Sequence, residues 1–265
     1  MPPSVSAARP STRLRSSSLA DLRRRIGAIE RPVFTTAATA RTLPVGIEAI
    51  DAHLPGGGLP LGCLHEIIGR DAGAGAGFCV ALLGKLVACR GGIVLWCMHL
   101  ASVHEAGGLY APGLAAGGLN PERLIVVRAA KAIDVLWAME EGLRGDRLAA
   151  VLGEVRKIDL RASRRLQLAA EASGTSAFLL RPSSAEEGSP PTASVTRWRL
   201  AAAPAPVGPF SPFDRTRWHA ELLRCRGGRP GGAWVLEWDH ETGDLGLAAD
   251  LCDRPVVPSD ALMAI

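Results

Sequence analysis

Residues 63–89 constrain the fold more than any other part of the sequence. A short apolar strand (Cys63–Ile68) runs into a glycine-rich turn (Gly69–Gly77), and an apolar helix follows (Phe78–Cys89). This order of strand, loop and helix is the setting of a phosphate-binding loop. In a working loop the backbone N–H groups cradle phosphates, a lysine reaches the β- and γ-phosphates, and a serine or threonine hydroxyl holds Mg²⁺.

The groups that would neutralise phosphate charge are missing from this loop. Gly75 and Ala76 stand at the lysine and serine/threonine positions, and the nearest lysine, Lys85, lies well inside the helix, where we expect it to point elsewhere. We therefore predict no catalytic residue, no metal and no cofactor, although glycine N–H groups at a helix N-terminus still bind anions weakly. The residues of this degenerate loop are Gly69, Gly73, Gly75, Ala76 and Gly77.

The segments after the loop alternate between strand and helix patterns. Continuous apolar runs predict buried strands at Gly92–Met98, Leu124–Arg128, Leu148–Val155 and Ser176–Arg181. Helical spacing predicts helices in part of Val103–Gly118, at Ala132–Leu143, and at Asp159–Ala172 with Asp159 as the N-cap. Such alternation implies right-handed βαβ units. The fold class is therefore α/β, with a mostly parallel sheet flanked by helices.

The pattern changes in the last third of the chain. A polar loop at residues 183–192 is followed by three segments whose alternating pattern predicts antiparallel strands. These segments are Val195–Ala202, His219–Arg226 and Ala233–Trp238. A short final strand is predicted at Leu245–Ala249. We expect residues 1–42 to hold a disordered tail, a helix and a linker, residues 43–250 the core domain, and residues 251–265 a tail.

Composition narrows the class of protein. The chain has 265 residues, 48% hydrophobic and 21% charged, which suits one substantial core domain. Its net charge of +4 is compatible with a nucleic-acid or acidic-protein partner. It contains no apolar run long enough to span a bilayer and no apolar signal segment near the N-terminus, so we expect a cytoplasmic protein without membrane contact. The six scattered cysteines form no C-x-x-C pair and predict buried, reduced thiols.

The segment GIEAIDAHLPGGGLPLGCLHEIIG, residues 46–69, resembles the stretch that leads into the nucleotide loop of RecA. A Gly/Ala-rich loop without lysine, a short N-terminal helix and no C-terminal lobe are similar to the ImuA family of RecA-like, damage-inducible proteins. The resemblance implies a RecA-like core and a role in the SOS response, in error-prone translesion synthesis. It also implies ImuB and RecA as partners, indirect contact with the polymerase ImuC, and association with the nucleoid upon DNA damage.

Two further positions depart from the RecA pattern. The second strand ends at His99, where RecA-like ATPases place a glutamate that activates water; without a phosphate anchor a histidine base has nothing to act on. Glu154 stands where an aspartate would order Mg²⁺. Arg156 and Lys157 follow at once, so we expect a local salt bridge or a solvated edge there instead of a metal. A lysine supplied by a neighbouring subunit remains an alternative that would rescue the site.

The N-terminal segment Ser18–Glu30 has the spacing of an amphipathic helix. It is either a plain surface helix or a docking element for a partner, as the N-terminal helix is in RecA-type filaments. The apolar face that would bind the partner consists of Leu19, Leu22, Ile26 and Ile29. The tail from Leu251 onward either frays or folds upon binding to ImuB, with which the resemblance associates it.

Basic and aromatic residues alternate in the C-terminal strands. Weak contact with single-stranded DNA is one interpretation, through Arg197, Arg199, Arg224 and Arg226 with interleaved tryptophans. The other is that the tryptophans anchor the core and the arginines form a solvated face. The acidic residues Glu186 and Glu187 in the preceding loop argue against a RecA-like filament on DNA.

The function that these features favour is a non-catalytic adaptor in translesion synthesis, which uses a RecA-like surface to bind ImuB, RecA or both. Two alternatives stay open from the sequence. One is a DNA-stimulated ATPase with an atypical phosphate loop. The other is a SulA-like inhibitor of cell division, which only the family's alternative description suggests.

Overall fold

The computed structural model describes residues 42–71, 73–145, 147–182, 191–204 and 215–248. The predicted N-terminal helix with Leu19, Leu22, Ile26 and Ile29, the acidic pair Glu186 and Glu187, and the C-terminal tail lie outside these described residues. Within the described ranges, no helix is both long and apolar enough to cross a membrane.

Eleven strands and six α-helices make up the described part of the chain. The strands are β1 (Thr42–Leu43), β2 (Leu59–Pro60), β3 (Leu64–Gly69), β4 (Ile93–His99), β5 (Leu124–Ala129), β6 (Leu148–Glu154), β7 (Ser176–Pro182), β8 (Thr196–Ala203), β9 (Arg215–Cys225), β10 (Ala233–Asp239) and β11 (Asp244–Leu247). The helices are α1 (Glu48–Asp51), α2 (Ala74–Arg90), α3 (Leu100–Ala106), α4 (Ala111–Ala116), α5 (Ala132–Arg144) and α6 (Leu160–Ser173), with a 3₁₀ turn at Pro121–Arg123.

Nine of these strands form one mixed sheet in the order β11-β10-β9-β8-β3-β7-β6-β4-β5. The six strands from β8 to β5 are parallel, and β9, β10 and β11 continue the sheet with antiparallel pairing. This confirms the predicted α/β architecture with antiparallel strands toward the C-terminus. One detail differs, because β8 pairs in parallel with β3 and antiparallel with β9, and so joins the two halves.

Helices cover both faces of the parallel strands. On one face, α2 buries Phe78, Leu82 and Leu83 against a core that includes Trp96 and Trp198. On the other face, α5 and α6 pack over a second core. Because α2 is covered on nearly all sides, its sequence is apolar all round, without a polar stripe. By contrast, α5 and α6 keep one polar face.

The structure corrects several predicted boundaries. Helix α2 begins at Ala74 and not at Phe78, so the glycine-rich turn is shorter than expected. The small residues at its start pack closely, since a Cβ on Gly77 would lie 2.9 Å from the Trp218 ring. The segment at residues 103–118 forms two short helices, because Gly107 interrupts it with a positive φ of 85°. Asp159 is confirmed as an N-cap, since its carboxylate accepts the Ala162 N–H at 2.6 Å.

Candidate functional site

The loop after β3 is closed by its own aspartate. Asp71 Oδ1 accepts the backbone N–H of Ala74 at 2.7 Å, and Asp71 Oδ2 accepts the N–H of Ala202 at 2.7 Å. The carboxylate therefore stands at the N-terminus of α2, where the helix dipole favours a negative charge. In a phosphate loop this is the position that the anion takes. The side chain thus supplies the negative charge that a nucleotide would bring, and it repels a second anion.

The lysine position of the loop has no room for a side chain. A Cβ placed on Gly75 would lie 2.9 Å from Leu180 Cδ1 and 3.1 Å from the Cα of Gly69. Both distances are shorter than those of ordinary packing, and one of them is to backbone. The departure from a phosphate loop is therefore one of backbone packing as well as of residue type. Lys85 points elsewhere, as predicted, because its Nζ donates to the carbonyl of Val45 at 2.7 Å.

A cleft of about 300 Å³ lies beside the loop at the carboxyl ends of the central strands. This is where ligands bind in open α/β sheets. Its walls combine the loop, the ends of β6 and β7, and α3. The charged residues that line it are Arg70, Asp71, Glu105, Glu154, Arg156 and Arg181. The mixture of three cations and three acids gives the cleft no strong preference for an anion.

Glu154 does not form the local salt bridge that the sequence suggested, nor a solvated edge. It accepts the indole N–H of Trp96 at 2.7 Å, while Arg156 pairs with Glu105 across the cleft. Burial raises the pKa of Glu154, and the hydrogen bond from Trp96 lowers it by less. A carboxyl group with a raised pKa and an indole partner is a poor ligand for Mg²⁺. In the part of the chain that the structure describes, no group of three or more His, Cys, Asp or Glu residues could hold a metal.

His99 is outside the cleft. Its Nε2 lies 3.0 Å from the carbonyl oxygen of Ala130, beyond the end of β5. It is not among the residues that line the cleft. This last residue of β4 is thus turned toward the edge strand β5 and away from the loop.

A buried ionic network joins β3, β7 and β8. Glu66 of β3 and Arg181 of β7 are both almost completely buried and pair at 2.5 Å. The second carboxylate oxygen of Glu66 accepts Arg197 Nε at 2.9 Å and the hydroxyls of Thr192 at 2.5 Å and Ser194 at 3.3 Å. Burial by itself would raise the pKa of Glu66, but these donors and the two guanidinium charges more than offset it and hold the pKa below its usual value.

Sequence reasoning missed this network, although a signal was present. Glu66 lies in the middle of an apolar strand, and Arg181 ends another apolar strand. A charged side chain within a buried strand requires a partner of opposite charge. An ion pair between Glu66 and Arg181 could therefore have been predicted from the sequence. Glu66 and Arg181 are close together because β3 lies between β8 and β7 in the sheet.

Three of the four arginines proposed for DNA contact have side chains that are engaged within the protein. Arg197 binds Glu66, Arg199 pairs with Glu221 at 2.6 Å, and Arg224 donates to the carbonyl of Thr192 at 2.7 Å. The interpretation of a merely solvated face is therefore wrong for Arg197 and Arg199. For Arg226, the backbone N–H donates to the carbonyl of Val195 and so extends the β8–β9 pairing by one hydrogen bond. DNA contact through these side chains stays a prediction.

The aromatic and sulfur side chains have structural positions. Trp198, Trp218 and Trp238 are buried, which confirms that these three anchor the core. Of the described cysteines, only Cys89 is exposed, and all five are free thiols. Burial raises the pKa of Cys97 to about 12 and that of Cys225 to about 11, so both stay protonated at neutral pH. The prediction of buried, reduced thiols is confirmed for Cys63, Cys79, Cys97 and Cys225.

No protein-family model matches the chain. Comparison with curated proteins finds Protein ImuA of Caulobacter vibrioides, in strain NA1000 / CB15N and in strain ATCC 19089 / CIP 103742 / CB 15. Each is 40% identical over 238 residues, which cover 83% of this chain and 93% of the relative. This likeness covers most of both proteins and confirms the resemblance seen in the loop region. The chain belongs to the ImuA family.

Proposed function

We propose that this chain is a non-catalytic adaptor in damage-induced, error-prone translesion synthesis. In this function it binds ImuB, RecA or both, and it reaches the polymerase ImuC through them. Membership of the ImuA family supports the context of DNA damage and mutagenesis. The geometry of the loop supports the absence of catalysis.

The observation that carries the proposal is the state of the loop at the start of α2. Asp71 presents a carboxylate where a phosphate would bind, and Gly75 leaves no space for the lysine side chain. A nucleotide would have to displace Asp71 from two hydrogen bonds and would then lack the loop lysine that reaches its β- and γ-phosphates. Hydrolysis also needs a metal and a base, whereas Glu154 faces Trp96 and His99 lies outside the cleft.

An adaptor needs a rigid shape without a bound nucleotide. In this chain, ion pairs and hydrogen bonds between strands provide that rigidity. The Glu66 network and the two hydrogen bonds of Asp71 join β3, β7, β8 and the start of α2. In an ATPase the nucleotide helps to order these elements. Here the chain's own side chains do so, which preorganises the surface for a partner and reduces the entropy lost on binding.

The test is equilibrium binding of a fluorescent ATP analogue with Mg²⁺, together with hydrolysis measured with and without single-stranded DNA. We expect no binding up to about millimolar nucleotide, which corresponds to less than about 4 kcal/mol of binding free energy. Binding to purified ImuB and RecA is measured in parallel, and we expect at least one of them to bind without ATP. Tight nucleotide binding with DNA-stimulated turnover would instead favour the atypical ATPase, and a search for a lysine from a neighbouring subunit would follow.

The cell-division alternative requires a separate measurement. Overproduction in undamaged cells is expected to leave cell length unchanged if the chain acts only in translesion synthesis. Filamentous growth without DNA damage would favour the SulA-like function.

A further inference from the structure

A groove runs between α5 and α6 on the face of the sheet opposite α2. It has a volume of about 460 Å³ and is separate from the cleft at the strand ends. Its floor is apolar and its rims carry arginines. The residues that define it are Glu140, Leu143, Arg144, Arg165, Leu168 and Ala169.

Two stripes of side chains, one on each helix, include residues that line this groove and continue beyond it toward the helix N-termini. On α5, the residues at spacing i, i+4, i+7 and i+11 are Ile133, Trp137, Glu140 and Arg144. On α6, the same spacing gives Arg161, Arg165, Leu168 and Ala172. Residues at this spacing lie on one face of a helix. The ion pair between Glu140 and Arg165 aligns the two stripes.

Large apolar side chains on the stripes are exposed to solvent. Ile133 is 64% exposed, Trp137 62% and Leu168 57%. Leu168 lines the groove, while Ile133 and Trp137 extend the same face of α5 beyond Glu140. Single exposed apolar residues need no explanation, but three on adjoining helix faces call for one. Tryptophan is also the residue type that contributes most often to the centre of a protein interface.

Of the charged residues that line the groove, two are arginines and one, Glu140, is acidic. Glu140 accepts Arg144 at 2.8 Å on one side and Arg165 on the other, so one carboxylate fixes both guanidinium groups at the rim. The side chains of Arg144 and Arg165 remain 60% and 58% exposed, although Arg144 also pairs with Glu141. Arg161 and Arg164 are exposed, and neither belongs to an ion pair among the residues that the structure describes.

We propose that the α5/α6 groove binds an acidic amphipathic helix of a partner protein. The apolar stripe of that helix would pack on Trp137, Leu168 and Ile133, and its carboxylates would pair with the arginines of the rims. Each stripe runs over twelve residues, a rise of about 17 Å, so the bound helix has about three turns. A nucleic acid would match the arginines and would stack on Trp137, but the aliphatic Ile133 and Leu168 offer bases no stacking surface.

This inference rests on the proposed adaptor function, because it assumes a partner protein and names the kind of helix that the partner would present. It can nevertheless be tested without any named partner. The probe is a synthetic peptide of about 15 residues, with leucines at i, i+4, i+7 and i+11 and glutamates at most other positions. The full-length chain is titrated with the labelled peptide, and anisotropy is recorded. Control peptides have lysine in place of glutamate, or the same composition with the leucine stripe scrambled.

Two variants remove the proposed contacts. The double variant Trp137→Ala/Leu168→Ala is expected to weaken binding of the acidic peptide by at least about tenfold. Arg161→Glu is expected to weaken it by about threefold to tenfold, more at low salt. The matched controls are Tyr110→Ala, an equally exposed aromatic residue elsewhere, and Arg123→Glu, an exposed arginine before β5; both should bind the peptide as the unaltered chain does.

Several results of the peptide titration would contradict the inference. If the double variant binds the acidic peptide as well as the unaltered chain, or if the scrambled peptide binds equally, the groove is not the docking site. Absence of peptide binding has the same meaning, and displacement of the peptide by an oligothymidylate would assign the face to nucleic acid. Failure of ImuB and RecA to bind the unaltered chain would overturn the adaptor function alone, because the peptide titration does not involve them.

Discussion

One carboxylate oxygen of Asp71 lies 2.7 Å from the backbone nitrogen of Ala202, which is 131 residues further along the chain. The other oxygen accepts the N–H of Ala74 at the start of α2. One side chain thus ties the glycine-rich loop both to its helix and to β8. Ala202 is close to the end of β8, so this contact fixes the loop against the strand that joins the parallel and antiparallel halves of the sheet.

Replacing Asp71 with alanine should destabilise the fold moderately. Two backbone N–H groups lose their acceptor, and one of them is at a helix N-terminus, so we expect the free energy of unfolding to fall by about 1–2 kcal/mol. Asp71→Asn keeps an acceptor oxygen without the charge and should show a smaller loss. Urea unfolding monitored by circular dichroism measures both. Unchanged stability of the alanine variant would show that water replaces the carboxylate at no cost.

Restoring the lysine should not restore a nucleotide site. In Gly75→Lys the Cβ meets Leu180 and the backbone of Gly69, so we expect a loss of about 1–3 kcal/mol in stability. We also expect no gain in binding of an ATP analogue, because Asp71 still occupies the helix N-terminus. Gly73→Ala is the matched control: a Cβ there meets nothing within 4 Å and φ is −99°, so its stability should stay within about 1 kcal/mol of the original. A lysine variant that is stable and binds nucleotide would contradict the packing argument.

Breaking the buried pair should cost more than breaking a surface pair. Glu66→Ala leaves the guanidinium of Arg181 buried without its carboxylate, for which we expect a loss of about 3–5 kcal/mol. Glu105→Ala removes the partner of Arg156 in an exposed pair, and we expect a change of less than about 1 kcal/mol. Chemical unfolding of both variants gives the comparison. Equal effects would mean that the network contributes little beyond a surface contact.

The sequence predicted the fold well where a pattern is local. The alternation of apolar strands with amphipathic helices predicted the α/β class, and Asp159 predicted the N-terminus of α6. The parallel pairing of β8 with β3 could not be read from β8 alone, since pairing depends on which strand lies beside it. The same holds for the site. The missing lysine at Gly75 is visible from the spacing of the loop. The lack of room for a Gly75 Cβ beside Leu180, and the hydrogen bond that Ala202 N–H donates to Asp71, are visible only in the tertiary structure.

Acid should destabilise the protein through His65 from about pH 6.5 downward, beginning above the range in which most carboxylates titrate. His65 is completely buried between Thr196 and the carbonyl of Pro60, and burial lowers its pKa to about 4 from 6.5. The unfolded chain therefore takes up a proton below about pH 6.5, while the folded chain does not do so until about pH 4. Stability should fall across this interval by up to about 3 kcal/mol. His65→Gln should be less stable at neutral pH and should show a weaker dependence on pH, measured by urea midpoints. An equally steep dependence in the variant would exclude His65 as its source.

Replacing Glu154 with glutamine should stabilise the protein at neutral pH. Burial raises the pKa of Glu154, so the folded state favours the protonated form, and ionisation carries a penalty that appears as the pH rises through the folded pKa. Glutamine keeps an oxygen to accept the Trp96 indole N–H and cannot ionise. We expect Glu154→Gln to raise the unfolding midpoint at neutral pH, and the advantage to vanish below the ordinary pKa of 4.5, where both states of the original are protonated. Asp159→Asn at the exposed cap of α6 serves as the control for a general effect of removing a negative charge. A glutamine variant that is less stable at neutral pH would mean that the ionised carboxylate stabilises this end of β6.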